Sequence, residues 1–252
     1  MNNRKTLGIL GGLGPMSSVY FYEMLTAHTE AYCDQEHLNI LISSRADTPD
    51  RTDFITGRSK NNPLPIMREE VERLAAAGAS IVAIPCNTAH YFYDGISESS
   101  PVPILNIIRE TADFCDFLGL DRVGVLATEG TVRSGAYKKT LESLGIEYMT
   151  CSEGDQRVVS EIIYGSVKQG KEPDIDEFLR VADSLTSSGC KRIILGCTEL
   201  SLLKKNCRLG IRFIDPLEVI ASRAIRECGA TPTGFDPELM NFSFGKDVNI
   251  CN

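Results

Sequence analysis

The feature that most constrains this chain is an internal repeat. Leu7-Gly8-Ile9-Leu10 is answered by Val123-Gly124-Val125-Leu126, 116 residues later. Gly78, Ile81 and Ile84-Pro85-Cys86-Asn87-Thr88 are answered by Gly189, Ile193 and Leu195-Gly196-Cys197-Thr198-Glu199, with the glycines and the cysteines both offset by 111. Pro103-Ile104-Leu105-Asn106 is answered by Arg212-Phe213-Ile214-Asp215 at 109. Three segments in one order at nearly one offset imply two copies of a four-stranded unit, each with a cysteine where a strand gives way to a helix.

The local pattern says what the unit is made of. Continuous apolar runs lie at 6–10, 38–43, 80–85, 102–107, 122–127, 146–151, 192–196 and 211–214. They do not alternate in and out, which is how strands buried on both faces read. Between them lie helical stripes that stop at glycines, such as Val71, Leu74 and Ala75 before Gly78, Tyr137, Leu141 and Leu144 before Gly145, and Phe178, Ala182 and Leu185 before Gly189. Strand–helix alternation predicts parallel sheets covered by helices. Eight such strands also suit a single (β/α)8 barrel. The repeat favours instead an α/β fold of two pseudo-symmetric doubly wound domains, each with a four-stranded parallel sheet and with the active site at the domain interface. The expected division is 1–107 plus 216–252 for the first domain and 108–215 for the second. The tail 230–252 has no strong period and is expected to lie over the surface or to be partly disordered.

Composition excludes several functions. The 252 residues carry 26 Lys+Arg against 34 Asp+Glu, a net charge of −8. That balance argues against nucleic acid or an anionic membrane surface as partner. No apolar run approaches the ~20 residues that span a bilayer, and no signal-peptide core follows Met1; a cytoplasmic location is expected. Nine cysteines, an odd number, include no C-x-x-C pair, and His28, His37 and His90 do not pair with them at zinc spacing. No metal and no disulfide framework is expected, and most of these cysteines read as small buried hydrophobes.

The first βα turn, Gly8-x-x-Gly11-Gly12-Leu13-Gly14-Pro15, fails both nucleotide patterns: Ser17 stands where a dinucleotide loop has its third glycine, and no Lys-Ser/Thr follows. It offers either a tight turn or free N–H groups suited to a carboxylate. Cys86 and Cys197 lie at strand ends, where open α/β sheets bind ligands. Asn87, Thr88 and Thr198 are placed to cap the helices that follow, and a helix N-terminus lowers a thiol pKa. A single nucleophile would need a histidine base; His90 is near Cys86, but Ser201 fills its place in the second half. Two symmetric thiols suit inversion of a stereocentre, with a base on one face of the carbon and an acid on the other.

Pro85-Cys86-Asn87-Thr88-Ala89-His90 and Gly196-Cys197-Thr198-Glu199-Leu200 resemble the paired signatures of the aspartate/glutamate racemase superfamily, whose members work without pyridoxal phosphate. The Gly8–Pro15 loop, Pro49-Asp50-Arg51-Thr52 and Ile162-Ile163-Tyr164-Gly165-Ser166-Val167-Lys168-Gln169-Gly170 resemble its aspartate racemase branch. The resemblance runs to about residue 225. It departs from the glutamate racemases, which usually carry histidine where this chain has Glu199, and from a group with threonine in place of the first cysteine. The resemblance implies Cys86 and Cys197 as proton donor and acceptor, Arg51 and Lys168 as anchors for the substrate carboxylates, and Asn87, Thr88 and Thr198 as hydrogen-bonding partners. Met16, Ala89, Thr128 and Glu199 would complete the substrate site. It further implies an acidic amino acid as substrate, no cofactor and a homodimer. A glutamate or broad-range racemase stays open, as does a silent protein that binds acidic amino acids.

Overall fold

A computed structural model describes residues 4–207 and 209–245. Among them are two parallel sheets. In the first, β1 (Leu7–Gly11) lies between β2 (Ile40–Ser44) and β3 (Ile81–Ala83). In the second, the order is β5 (Glu147–Thr150), β4 (Arg122–Ala127), β6 (Arg192–Gly196), β7 (Phe213–Ile214). In each half the chain steps from the central strand to one neighbour and then crosses to the other side. The switch points lie between β1 and β3 and between β4 and β6, and Cys86 and Cys197 follow the strands that open them.

The expected four strands per half are corrected to three in the first. The run 102–107 contributes only a parallel bridge, Ile104 opposite Val82. The Val82 N–H donates to the Pro103 carbonyl and the Leu105 N–H to the Val82 carbonyl. Pro101 and Pro103 have no N–H to extend the ladder in the other direction. The edge strands β2 and β5 are half exposed, whereas β1, β3 and nearly all of β4 and β6 are buried as their apolar runs predict.

Three layers of core build the molecule. Helix Leu64–Ala76 packs Met67, Val71 and Leu74 on the outer face of the first sheet, and helix Ile175–Ser187 packs Phe178, Val181, Ala182 and Leu185 on the second. Between the sheets runs one continuous core, built from Phe21 and Leu25 of helix Pro15–Ala27, Ile107 and Ala112 of helix Ile107–Phe117, and Leu217, Ile220 and Ala224 of helix Pro216–Glu227. The stops are those expected: Gly78 and Gly189, equivalent in the repeat, take φ of +102° and +92°, a left-handed conformation that glycine adopts without cost.

The segment 44–63 contains a short helix, Arg51–Ile55, capped by the Asp50 side chain on the Asp53 N–H. One expectation about an irregular segment is corrected. The tail is not a loose cover as far as residue 245: Phe235, Leu239 and Phe242 are buried in the central core, and Thr29 bridges Pro232. Residues 246–252, with Cys251, lie outside the described residues. Of the other cysteines, Cys86, Cys115, Cys190, Cys197 and Cys228 are buried, Cys151 is half buried, and Cys33 and Cys207 are exposed. No helix among the described residues is long and apolar enough to cross a membrane.

Candidate active site

At the carboxyl ends of β3 and β6 the two halves enclose a cavity of about 10 Å³, lined by Cys86 and Cys197. The first half also supplies Leu13, Asp50, Arg51, Thr52, Asn87 and Thr88; the second supplies Thr128, Tyr164, Lys168, Thr198 and Glu199. The volume matches one water molecule. Of the residues singled out by sequence, all but Met16 and Ala89 line this cavity. Ala89 is fully buried in the first half's core, behind the wall. Met16 is 63% exposed and lines an adjoining groove shared with Gly14, Arg51, Lys168 and Glu199.

Arg51 begins the short helix and points inward, only 8% exposed. Its Nη2 donates to the Leu13 carbonyl at 2.9 Å, and Nη1 to the carbonyls of Pro49 and Thr48 at 3.1 and 3.3 Å. Nε has no partner, and the guanidinium forms no ion pair among the described residues. A buried cation held only by carbonyl dipoles is costly until an anion joins it. Lys168 comes from the opposite half, where the chain leaves helix Glu153–Ser160 through a π-helical turn, Glu161–Ser166, into a 3₁₀ turn, Val167–Gln169. π-turns often mark functional sites. Here the turn presents Tyr164 and Lys168 together: the ammonium lies 4.6 Å from the tyrosine ring centroid and 3.8 Å from Glu199 Oε1. Burial pulls the Lys168 ammonium down, but Glu199 and the two thiols carry it above its ordinary value.

The thiols have unlike surroundings. Cys197 Sγ donates to Glu199 Oε2 at 2.9 Å. Burial, then the Glu199 charge, pushes this thiol well above the usual range, with Lys168 pulling against them. These effects outweigh a helix N-terminus, which by itself lowers a thiol pKa. Near Cys86, His90 is fully engaged: its Nε2 accepts the Ile107 N–H at 3.2 Å, which leaves the proton on Nδ1 to reach the Cys86 carbonyl at 2.9 Å. Burial lowers its pKa. His90 is a structural post, as the lack of a duplicate suggested.

The expected caps after Cys86 are also corrected. Asn87 caps nothing with its side chain; its Oδ1 accepts from Tyr137 OH at 2.6 Å, while its Nδ2 is buried without a partner. Thr88 is drawn into a cluster across the interface, its hydroxyl 3.0 Å from that of Thr128 and 2.8 Å from that of Thr131. Thr128 is the true cap, accepting from the Thr131 N–H. Leu13, Asp50, Thr52 and Tyr164 were not singled out, although all four stand inside motifs quoted above. Tyr164 OH donates to Thr52 Oγ1 at 2.9 Å, a contact between halves that no sequence spacing reports.

Two thiols at equivalent strand ends, an unpaired buried arginine and a lysine around one cavity can invert a stereocentre on an anionic substrate. Comparison with known proteins agrees with that chemistry. Residues 10–224 match the family described as Asp/Glu/Hydantoin racemase. The chain belongs to this family. The racemase is similar over most of its length to the broad specificity amino-acid racemase RacX of Bacillus subtilis, with 28% identity over 232 residues, 87% of this chain and 96% of the relative. A glutamate racemase of Limosilactobacillus reuteri is 28% identical over 181 residues, 66% of this chain and 65% of its own length. Among solved structures, Picrophilus torridus aspartate racemase superposes with a TM-score of 0.77 at 26% identity, covering 91% of this chain and 96% of that one. The racemase thus has relatives named for different substrates on one fold.

Proposed function

We propose that this racemase interconverts L- and D-aspartate without a cofactor, with Cys86 and Cys197 as the acid/base pair. The observation that carries the reading is the meeting of the two thiols, from equivalent positions of the repeat, in one cavity that also holds the unpaired Arg51. Arg51 and Lys168 would take the two carboxylates, Arg51 by a bidentate grip. One cysteine enters as thiolate and removes the α-hydrogen; the other, as thiol, protonates the opposite face. The carbanion has no cofactor to delocalise it, so donors to the α-carboxylate and exclusion of water must stabilise it. Asn87 Nδ2, a buried donor with no partner, is placed for that task. The cytoplasmic setting, the homodimer and the division at residues 107 and 215 belong to the same reading; sedimentation tests the dimer.

Aspartate is preferred to glutamate on the resemblance of the Gly8–Pro15, Asp50–Thr52 and Tyr164–Gly170 segments to the aspartate branch, and on the similarity to the Picrophilus enzyme. One methylene is worth only ~1–3 kcal/mol to a pocket, so the assay includes both acids. The protein is incubated with L-aspartate or L-glutamate in D2O, and chirality and α-deuterium are followed for wild type, Cys86→Ala and Cys197→Ala. Deuterated D-aspartate from the wild type, lost in both variants, supports the reading. Inversion of glutamate alone sinks the substrate assignment, and activity surviving either cysteine variant sinks the two-thiol mechanism.

A further inference from the structure

The repeat breaks at one position that matters to the chemistry. Two residues past Cys86 stands Thr88; two residues past Cys197 stands Glu199. The Thr88 hydroxyl is committed to Thr128 and Thr131, whereas Glu199 Oε2 takes the hydrogen bond of the Cys197 thiol. Thr198 Oγ1 reaches the same oxygen at 3.5 Å. The other oxygen, Oε1, faces Lys168 and lies 2.5 Å from where a Cβ on Gly14 would stand. The glycine loop therefore makes room for a carboxylate, and that carboxylate is the protein's own. Glu199 is 4% exposed and sits between one thiol and one cation.

We propose that Glu199 is a positioning residue dedicated to Cys197: it holds this thiol protonated in the empty site and takes its proton when an acidic substrate draws Lys168 away. The proposal rests on the racemase reading above. The Glu199 charge opposes a thiolate next to it. Once a substrate carboxylate engages Lys168, Glu199 loses its counter-ion. The Cys197 S–H bond then breaks, an O–H bond forms on Glu199, and the negative charge passes to sulfur. The Cys197 thiolate removes the α-hydrogen, regaining its S–H bond, while the Cys86 thiol protonates the other face. The proton stored on Glu199 returns to the Cys86 thiolate through solvent after product leaves. Because enantiomers have an equilibrium constant of one, kcat/KM is equal in both directions for any variant, and the asymmetry shows in how the two thiols titrate.

The test is the pH dependence of methylthiolation by methyl methanethiosulfonate, resolved for each cysteine by mass spectrometry, in wild type, Glu199→Gln and Glu199→Asp. Thermal denaturation of each variant checks that it is folded. In Glu199→Gln the midpoint for Cys197 should fall by at least about one pH unit, a tenfold gain in thiolate below it, while Cys86 stays in place. Glu199→Asp, which keeps the charge, should keep the Cys197 midpoint high. An unchanged Cys197 midpoint in Glu199→Gln, an equal shift at Cys86, or an equal fall in Glu199→Asp overturns the proposal. Because labelling needs no turnover, absence of inversion by the wild type in D2O would count against the racemase reading without deciding this one.

Discussion

His90 shows what a single side chain can be mistaken for. Its position four residues after Cys86 suggests a base, yet both ring nitrogens are used, one on the Cys86 carbonyl and one on the Ile107 N–H. Replacing it with alanine strands two buried backbone groups, each worth ~1–3 kcal/mol, so His90→Ala should lose about 2–6 kcal/mol in urea denaturation. The pH dependence has a definite sign. Burial favours the neutral ring, so the folded-state pKa lies below the unfolded value near 6.5. The unfolded state then binds more protons, and the stability His90 confers is full above about 6.5 and drains as the pH falls below it. Loss of that acid-side slope in His90→Gln, measured by urea midpoints across the range, checks the assignment. At this scale the places of the two cysteines at strand ends followed from the repeat, while Arg51 and Lys168 came only from the resemblance. The roles of Asn87 and Thr88 were not legible in the sequence, because their partners Tyr137, Thr128 and Thr131 come from the other half.

At the scale of elements, the central strands carry glycine at equivalent places. A Cβ on Gly8 would meet Ala79 Cβ at 3.0 Å and Leu74 Cβ at 3.3 Å; one on Gly124 would meet Leu185 Cδ1 at 3.0 Å. In both halves these glycines let neighbouring side chains close on the central strand, which explains why Leu7-Gly8 and Val123-Gly124 repeat together. Gly124→Val should overpack this contact and lose about 1–3 kcal/mol, read as a lower urea midpoint at an unchanged slope. The strands and most helices could be read from periodicity because burial imposes it. The run 102–107 could not: it is as apolar as its neighbours, and only its prolines tell that the ladder fails there.

At the scale of the molecule, the site is narrow where the two thiols meet. A cavity of about 10 Å³ is smaller than an amino acid, so binding must widen it. Fastenings across the interface include Tyr164 on Thr52, Tyr137 on Asn87, the threonine cluster, and Arg58, which bridges Asp53 and Glu129 at 2.9 and 2.7 Å. The exposed Arg58 pairs contribute little; the Tyr164 bond, buried on one side, should matter more. Tyr164→Phe removes about 1 kcal/mol of closure, roughly fivefold. Amide exchange in residues 161–170 should quicken by that factor, while global stability barely changes. Unchanged exchange there would place the opening elsewhere.

The sequence alone determined that this chain forms parallel sheets, that it does so twice, and that a cysteine stands at each switch point. Burial on both faces, helix stops and a repeated order are local or periodic constraints, and such constraints are written along the chain. The tertiary structure decided which groups the two copies bring face to face. Only there does Arg51 lie buried without a counter-ion among the described residues, Glu199 accept the hydrogen bond of the Cys197 thiol, and Met16 and Ala89 fall outside the cavity. These facts depend on the packing of one half against the other, through a core shared by helices distant in sequence, and no spacing within either half encodes the distance between them.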